Sequence, residues 1–230
     1  MALTVCGLIG SPFFRKILTQ LNEKAVDYDI EMLNPFTSGD EFTAMNPARR
    51  IPLLKDSDNG EDWVLPDSSA IFHYLEKKIP DPALVPADLA GYGRALWFEE
   101  YADTEMASTI GLGIFRKMVF PQMQGNAPDI EGALEVIRGK LIRINDYIEA
   151  SLAGREWLVG DRFSVADLSV AAQYANLAFT GYVPAASRWP NLNAFMARVG
   201  ARDSFAGPHV KAVAAFADMK KIEIDPEEGL

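Results

Sequence analysis

The chain has one cysteine, Cys6, so no internal disulfide can form, and its two histidines, His73 and His209, stand too far apart to make a local metal motif. No metal is expected. No run of eighteen apolar residues occurs, and the first fifteen residues lack a basic segment followed by an apolar one. Neither a membrane span nor a secretory signal is indicated, and the cytoplasm is the expected compartment. Basic residues are also in deficit: 22 Lys and Arg against 32 Asp and Glu leave a formal net charge of -10. That balance argues against nucleic acid and against an anionic membrane surface as partners. An anionic ligand must therefore meet a local basic spot.

What is present is apolar material, 49% of 230 residues, enough for one large domain or two small ones with separate cores. Residues 3–8 read as a strand and 12–24 as a helix, with Phe13, Ile17, Leu18 and Leu21 at helical spacing. Residues 28–32 alternate as a half-buried strand, and 36–45 are irregular, with a Ser38-Gly39 turn and a short helix. Strands at 51–55 and 63–65 flank the turn-rich DSDNGED as a hairpin, and 68–78 forms a helix. This order predicts a mixed sheet with helices packed on it, a small α/β domain over residues 1–79.

Three prolines in IPDPALVPADLAG stop the preceding helix and mark a linker at 80–89. Beyond it the strand signal vanishes. Residues 92–118, 130–152, 165–178 and 192–200 suit helices separated by Pro121, Gly154 and Pro190, with a last helix through Phe216. Residues 90–220 are expected to be all-helical, followed by a solvated acidic tail at 221–230.

Three stretches carry possible chemistry. In SPFF, Ser11 stands where an N-cap belongs and Pro12 at the first helical position, which already suits a capped helix start. Because this helix follows the first strand of an α/β sheet, the hydroxyl and the helix's positive end also lie where ligands bind. In NPARRIPLL, Pro52 opens a strand; either the strand begins late, or a cis Ile51-Pro52 bond turns the Ile51 backbone toward an extended peptide-like ligand. Arg49 and Arg50 are either the missing local positive charge or ordinary surface arginines. In LPDSSAIFHYL, Asp67 or Ser68 caps a helix, whose first N–H groups attract a carboxylate while Asp67 receives an ammonium. His73 reads as a satisfied, partly buried side chain. A fourth stretch, GDRFSVADL, forms a capping box from Ser164 and Asp167 with Phe163 and Leu168 as its staple, so Asp167 is structural.

Together, SPFFRKI, NPARRIPLL, PDSSAI and GDRFSVADLSVA in this order resemble the cytosolic glutathione S-transferase family over nearly the full chain. The resemblance implies a thioredoxin-like N-terminal domain, an all-helical C-terminal domain, a cytoplasmic homodimer and a role in detoxification. It implies that the proline matching Pro52 is cis and that Ile51 pairs with the cysteinyl backbone of glutathione. Asp67 and Ser68 would hold the γ-glutamyl head, and Arg50 the glycyl end. Phe13 belongs to the same expected glutathione site, and Asp103 matches a position that in some classes reaches the partner subunit's ligand, although it equally suits a solvated helix charge.

Family members with cysteine at the position of Ser11 act as thiol reductases. Here Ser11 and Phe14 stand where two cysteines would, which excludes disulfide exchange through this motif. A serine hydroxyl instead donates to the sulfur of glutathione, the co-substrate, favouring thiolate. The expected reaction is attack of that thiolate on a hydrophobic small-molecule electrophile, with Phe36, Tyr101, Met106 and Phe115 as candidate lining residues. Dehalogenation is a variant of it. The alternatives are a glutathione-dependent cis-trans isomerase of the maleylacetoacetate or maleylpyruvate type, calling for basic residues such as Arg116 and Lys117, and a non-catalytic binding or regulatory module.

Overall fold

Strand β1 (Leu3–Gly7) is buried along nearly its whole length, so it shows in the sequence as an apolar run. It is an inner strand of a four-stranded mixed sheet ordered β2-β1-β3-β4. The structure, a computed structural model, describes residues 2–60, 62–225 and 228–230. Helix α1 (Pro12–Glu23) leaves β1 through a tight turn. A side chain at Gly7 would bring its Cβ within 2.5 Å of the Phe14 ring, so glycine is what lets the first turn of α1 close over the strand end.

Strand β2 (Asp29–Met32) returns parallel to β1 with Met32 opposite Gly7. After the six-residue α2 (Asp40–Met45), β3 (Leu53–Asp56) runs antiparallel to β1 with Leu53 opposite Cys6. Strand β4 (Val64–Pro66) runs antiparallel to β3, with Pro66 opposite Leu53. The expected hairpin turn holds a 3₁₀ turn at Ser57–Asn59, and its Glu61 lies outside the described residues. Helix α3 (Ser68–Lys78) is fixed at its far end to the hairpin. There the buried Asp56 carboxylate accepts from the Tyr74 hydroxyl at 2.5 Å and from the Lys78 ammonium at 2.8 Å.

The helical part begins with α4 (Leu89–Tyr101), which continues through wider π-type turns at Ala102–Phe115 into α5 (Arg116–Met123). Pro121 does not end this rod. Having no N–H, it cannot donate to the Lys117 carbonyl four residues back, and the Asp129 N–H takes that acceptor at 3.1 Å. Helices α6 (Ile130–Val136) and α7 (Ile142–Ser151) are likewise joined by wide turns. At the centre lies α8 (Val165–Ala178), buried through Leu177 on every face, which suits its nearly uniform apolar sequence. Its capping box is present: the Asp167 carboxylate accepts from Ser164 N at 2.9 Å, Ser164 Oγ at 3.0 Å and Leu158 N at 2.8 Å. Phe163 lies edge-on against Trp157.

Helix α9 (Pro190–Gly200) completes this series, and α10 (Asp203–Ala215) behaves differently. One compact unit comprises Met1–Leu84 with Asp203–Ala212, the other Val85–Arg202 with Val213–Leu230. The first ten residues of the last helix thus pack with the sheet unit: Asn22 donates to the Ser204 carbonyl at 3.0 Å, and the Ser204 hydroxyl bonds Glu23.

Among its described residues the tail is fastened at three points, Lys221, Ile222 and Glu228, while Glu223 and Asp225 are exposed. Ile222 is 4% exposed and donates its N–H to the Thr180 carbonyl at 2.7 Å. The Lys221 ammonium donates to the Phe179 and Phe216 carbonyls, and Arg138 makes a two-point contact with Glu228 at 2.9 Å. A cavity of about 390 Å³ lies beside it, lined by Tyr182, Val183, Ile222 and Ile224 among others, and includes none of the expected site residues. Burying an isoleucine contributes about 1.5–3 kcal/mol. Ile222→Asp is therefore expected to free the tail, seen as at least tenfold faster amide exchange at Ile222 with the helical core unchanged.

Candidate functional site

The strand registers place four chain segments at one end of the sheet. Strand β1 ends at Gly7 and leads to Ser11; β2 ends opposite it at Met32, and the Leu33 N–H still bonds the Gly7 carbonyl at 3.2 Å. Strand β3 begins there just after Ile51 and Pro52, and β4 ends there just before Asp67. The glutathione-site residues expected from the sequence, dispersed over almost sixty positions, are thus gathered at one sheet edge by topology alone.

At α1 the Ser11 Oγ accepts from the Phe14 N–H at 3.3 Å, so it caps the helix through a lone pair and its own O–H remains able to donate. Pro12 has no N–H, and the Phe13 N–H is unengaged among the described residues. This helix end therefore offers a hydroxyl, one backbone donor and the positive end of the helix dipole to an anion. Arg15, 2% exposed, fixes the preceding turn by donating to the Ile9 carbonyl at 2.7 Å. Burial pulls its guanidinium down to about 9, so it stays charged at neutral pH. His209 of α10 is pulled down to about 4, first by burial and then by the charge of Arg15, and is neutral there. Cys6 is buried in the sheet core with Phe42 and Leu53, and burial, then the nearby Glu31 charge, push its thiol up to about 11. It is a packing residue, with no thiolate at neutral pH.

The loop before β3 is ordered by Asn46, whose amide donates to the Arg50 carbonyl at 2.8 Å and whose Oδ1 accepts from Ala48 N at 3.0 Å. The Ile51-Pro52 bond is cis, as is Asp81-Pro82. Among the described residues, neither the N–H nor the C=O of Ile51 takes part in a hydrogen bond. An open backbone donor and acceptor on one residue beside a strand is what an extended peptide needs for pairing. The two arginines divide. Arg50 is exposed with no side-chain bond or ion pair among the described residues, whereas Arg49 is committed to the protein.

At α3 the cap is Asp67, with Ser68 as the first helical residue. Asp67 Oδ1 accepts from Ser69 N at 3.0 Å and Ala70 N at 3.1 Å, which sustains a positive φ of 78° at a non-glycine residue. Two of the N–H groups expected to attract a ligand carboxylate are thus consumed by this side chain. The N–H and hydroxyl of Ser68 remain without a partner among the described residues, and Oδ2 of Asp67 stays open beside them. One turn therefore presents an acceptor for an ammonium and two donors for a carboxylate.

The remaining candidates are scattered. Phe36 is 70% exposed in the loop after β2, and Phe13 is half-buried. In the helical unit Tyr101 is half-buried, stacked on Trp97 and edge-on to Tyr147, with Asp103 half-buried on the same rod. Met106 is fully enclosed, and Phe115 packs edge-on against Phe120 and Phe216. Lys117 pairs with Asp129 at 3.4 Å and Arg116 lies over the Phe120 ring, so both basic residues that an isomerase would call on already have protein partners. Among the described residues there is no metal-binding cluster, and no helix is long and apolar enough to cross a membrane.

The glutathione S-transferase N-terminal domain family model matches residues 10–78, and its C-terminal domain counterpart matches residues 114–203. Glutathione S-transferase 3 of Zea mays is 32% identical over 174 residues, covering 74% of this chain and 75% of that protein. The chain belongs to the cytosolic glutathione S-transferase family. FtsZ-localized protein A of Caulobacter vibrioides is 30% identical to this family member over 177 residues, covering 75% of this chain and 76% of the relative. A glutathione S-transferase from Rhodospirillum rubrum F11 superposes with a TM-score of 0.81 at 26% identity, covering 90% of this chain and 91% of that one. The thioredoxin-like unit followed by an all-helical unit is the family's fold. Neither the burial of Arg15 nor the bonds of Arg49 to Pro35, Ser38 and Thr43 are marked in the sequence of this glutathione S-transferase relative, since nothing in residue type or spacing separates an engaged arginine from a solvated one.

Proposed function

We infer that the protein is a glutathione transferase of the serine type, acting on a hydrophobic electrophile. The observation that carries this reading is the convergence at one sheet edge of groups left open by the fold: the Ser11 O–H, the Ile51 N–H and C=O, and the Ser68 donors beside Asp67 Oδ2. Their chemistry fits a γ-glutamyl-cysteinyl-glycine ligand. The head ammonium meets Asp67, the head carboxylate meets Ser68, the cysteinyl backbone pairs with Ile51, and Arg50 supplies charge for the glycyl carboxylate. The sulfur then falls to the amino end of α1. The thiol loses its proton to solvent, Ser11 donates to the resulting thiolate, and the sulfur lone pair forms a bond to the electrophilic carbon as the leaving group departs. Phe13 and Phe36 belong to this site, and the assembly is a cytoplasmic homodimer.

Calorimetric titration with glutathione tests the binding step. The wild type is expected to give saturable heat below millimolar ligand, and Asp67→Asn, which retains a capping oxygen but not the charge, to bind about tenfold to a hundredfold more weakly, the range of one charge-assisted hydrogen bond of about 1.5–3 kcal/mol. A second reading, a binding or regulatory module on the same fold, is favoured by the likeness to FtsZ-localized protein A, whose name describes its localisation and no reaction. Absence of heat at millimolar glutathione would select it.

A further inference from the structure

Arg49 is the least explained residue at this sheet edge. Its φ is +50°, a conformation that costs a non-glycine residue free energy and persists only where the surroundings hold it. Asn46 holds the backbone on both sides, accepting from the Arg49 N–H at 2.9 Å and donating to the Arg50 carbonyl, and the side chain of Arg49 makes bonds of its own. The guanidinium donates to the Pro35 carbonyl at 2.9 Å, the Ser38 carbonyl at 2.7 Å and the Thr43 hydroxyl at 2.5 Å, and lies 5.3 Å from the centre of the Phe42 ring. The fork geometry of the group makes this three-way engagement possible where lysine, a point charge, would lose part of it. The loop so held begins at the end of β2, carries the exposed Phe36 and runs into α2. Its internal bonds converge on Asn34: Thr37 N, Ser38 N and the Ser38 hydroxyl donate to its carbonyl and Phe36 N to its Oδ1, so none of them ties the loop to the rest of the sheet unit. The residue that fastens it directly precedes Arg50 and Ile51. One backbone position thus joins the peptide-pairing segment to the loop carrying the most exposed aromatic residue of this edge.

We propose that Arg49 is a positioning residue for the second substrate: it fastens the Phe36 loop to the glutathione-binding segment, so that the electrophile meets a fixed apolar wall. The proposal rests on the glutathione transferase reading and adds to it a residue that touches neither substrate. Arg49→Gly is the informative variant, because glycine accepts the positive φ without strain while the guanidinium and its bonds are lost. Arg49→Lys keeps the charge without the fork.

Two measurements decide it. With saturating glutathione and 1-chloro-2,4-dinitrobenzene as probe, Arg49→Gly is expected to raise the KM for the electrophile at least fivefold, with kcat within threefold and the glutathione Kd within twofold; Arg49→Lys falls between. Amide exchange at Phe36, Thr37 and Ser38, followed without substrate, is expected to quicken at least tenfold in Arg49→Gly. Unchanged exchange in this loop overturns the fastening, and parallel weakening of glutathione and electrophile overturns the assignment to the second substrate. A wild type that binds no glutathione removes the reading on which the positioning role stands, and is told apart because the exchange difference at the loop persists.

Discussion

Ser11→Ala lowers kcat/KM at pH 7 by about tenfold to a hundredfold while leaving the glutathione Kd within a few-fold. The size follows from one hydrogen bond to a charged acceptor, about 1.5–3 kcal/mol, which is one to two pKa units of thiolate stabilisation. The direction follows from which form the hydroxyl favours. Donation to the sulfur stabilises thiolate and holds the bound thiol below its ordinary value near 8.5, so removing the donor moves the rate–pH midpoint upward. Below the midpoint the rate tracks the thiolate fraction, so the two profiles diverge at pH 6–7 and converge above about pH 9. Ser11→Thr, which keeps both hydroxyl and cap, should retain most of the activity. An Ala variant with an unshifted profile would remove Ser11 from the chemistry and leave it as the cap of α1, a role worth about 1 kcal/mol.

Asp167→Ala carries the largest expected cost in stability. The carboxylate has no solvent exposure and accepts three bonds, two of them from the backbone N–H groups of Leu158 and Ser164. Leaving two buried donors unsatisfied costs about 1–3 kcal/mol each. Part is recovered, because burial pushes this carboxyl up to about 6 and the charged form is itself penalised at neutral pH. A net loss of about 2–4 kcal/mol corresponds to a Tm lower by about 5–15 °C in a chain of this size. Asp167→Asn, which keeps an acceptor without the charge, is milder and separates the two effects by pH. Since the native carboxyl binds its proton more tightly than the unfolded one, at about 6 against an ordinary 3.8, its contribution is fullest below pH 4 and is lost as pH rises through 6. Denaturant melts of wild type and Asp167→Asn should therefore show the wild type's relative stability falling by about 3 kcal/mol across that interval.

Local signals in the sequence carried much of this architecture. The Ser11-Pro12 start of α1, the Asp67 start of α3 and the Ser164–Asp167 box of α8 depend on residues within four positions of one another, so residue type and spacing suffice to read them. Where partners are distant, the reading stops. The periodicity of residues 203–215 marks a helix but not what it packs on, and its first ten residues join the sheet unit. Acidic composition suggested a solvated tail, but Ile222 and the ion pair from Arg138 hold it to helices far back in the chain. Arg49 and Arg50 look alike in sequence, and only the folded loop shows that one is spent on Pro35, Ser38 and Thr43 while the other stays open. Pro121 suggested a helix end because its missing donor is evident in sequence, while the Asp129 N–H that fills the vacated bond is not.

That discontinuous first unit bears on how such proteins can be cut and recombined. A gene fragment stopped at the proline-rich linker would encode the sheet without the strip of helix bearing Phe205, and would present to water the apolar surface this strip covers. Chimeras made by exchanging everything after that linker would bring a foreign substitute for the missing strip. Swapped halves should therefore express soluble only when the incoming half supplies a helix of matching shape, whatever the compatibility of their active-site residues.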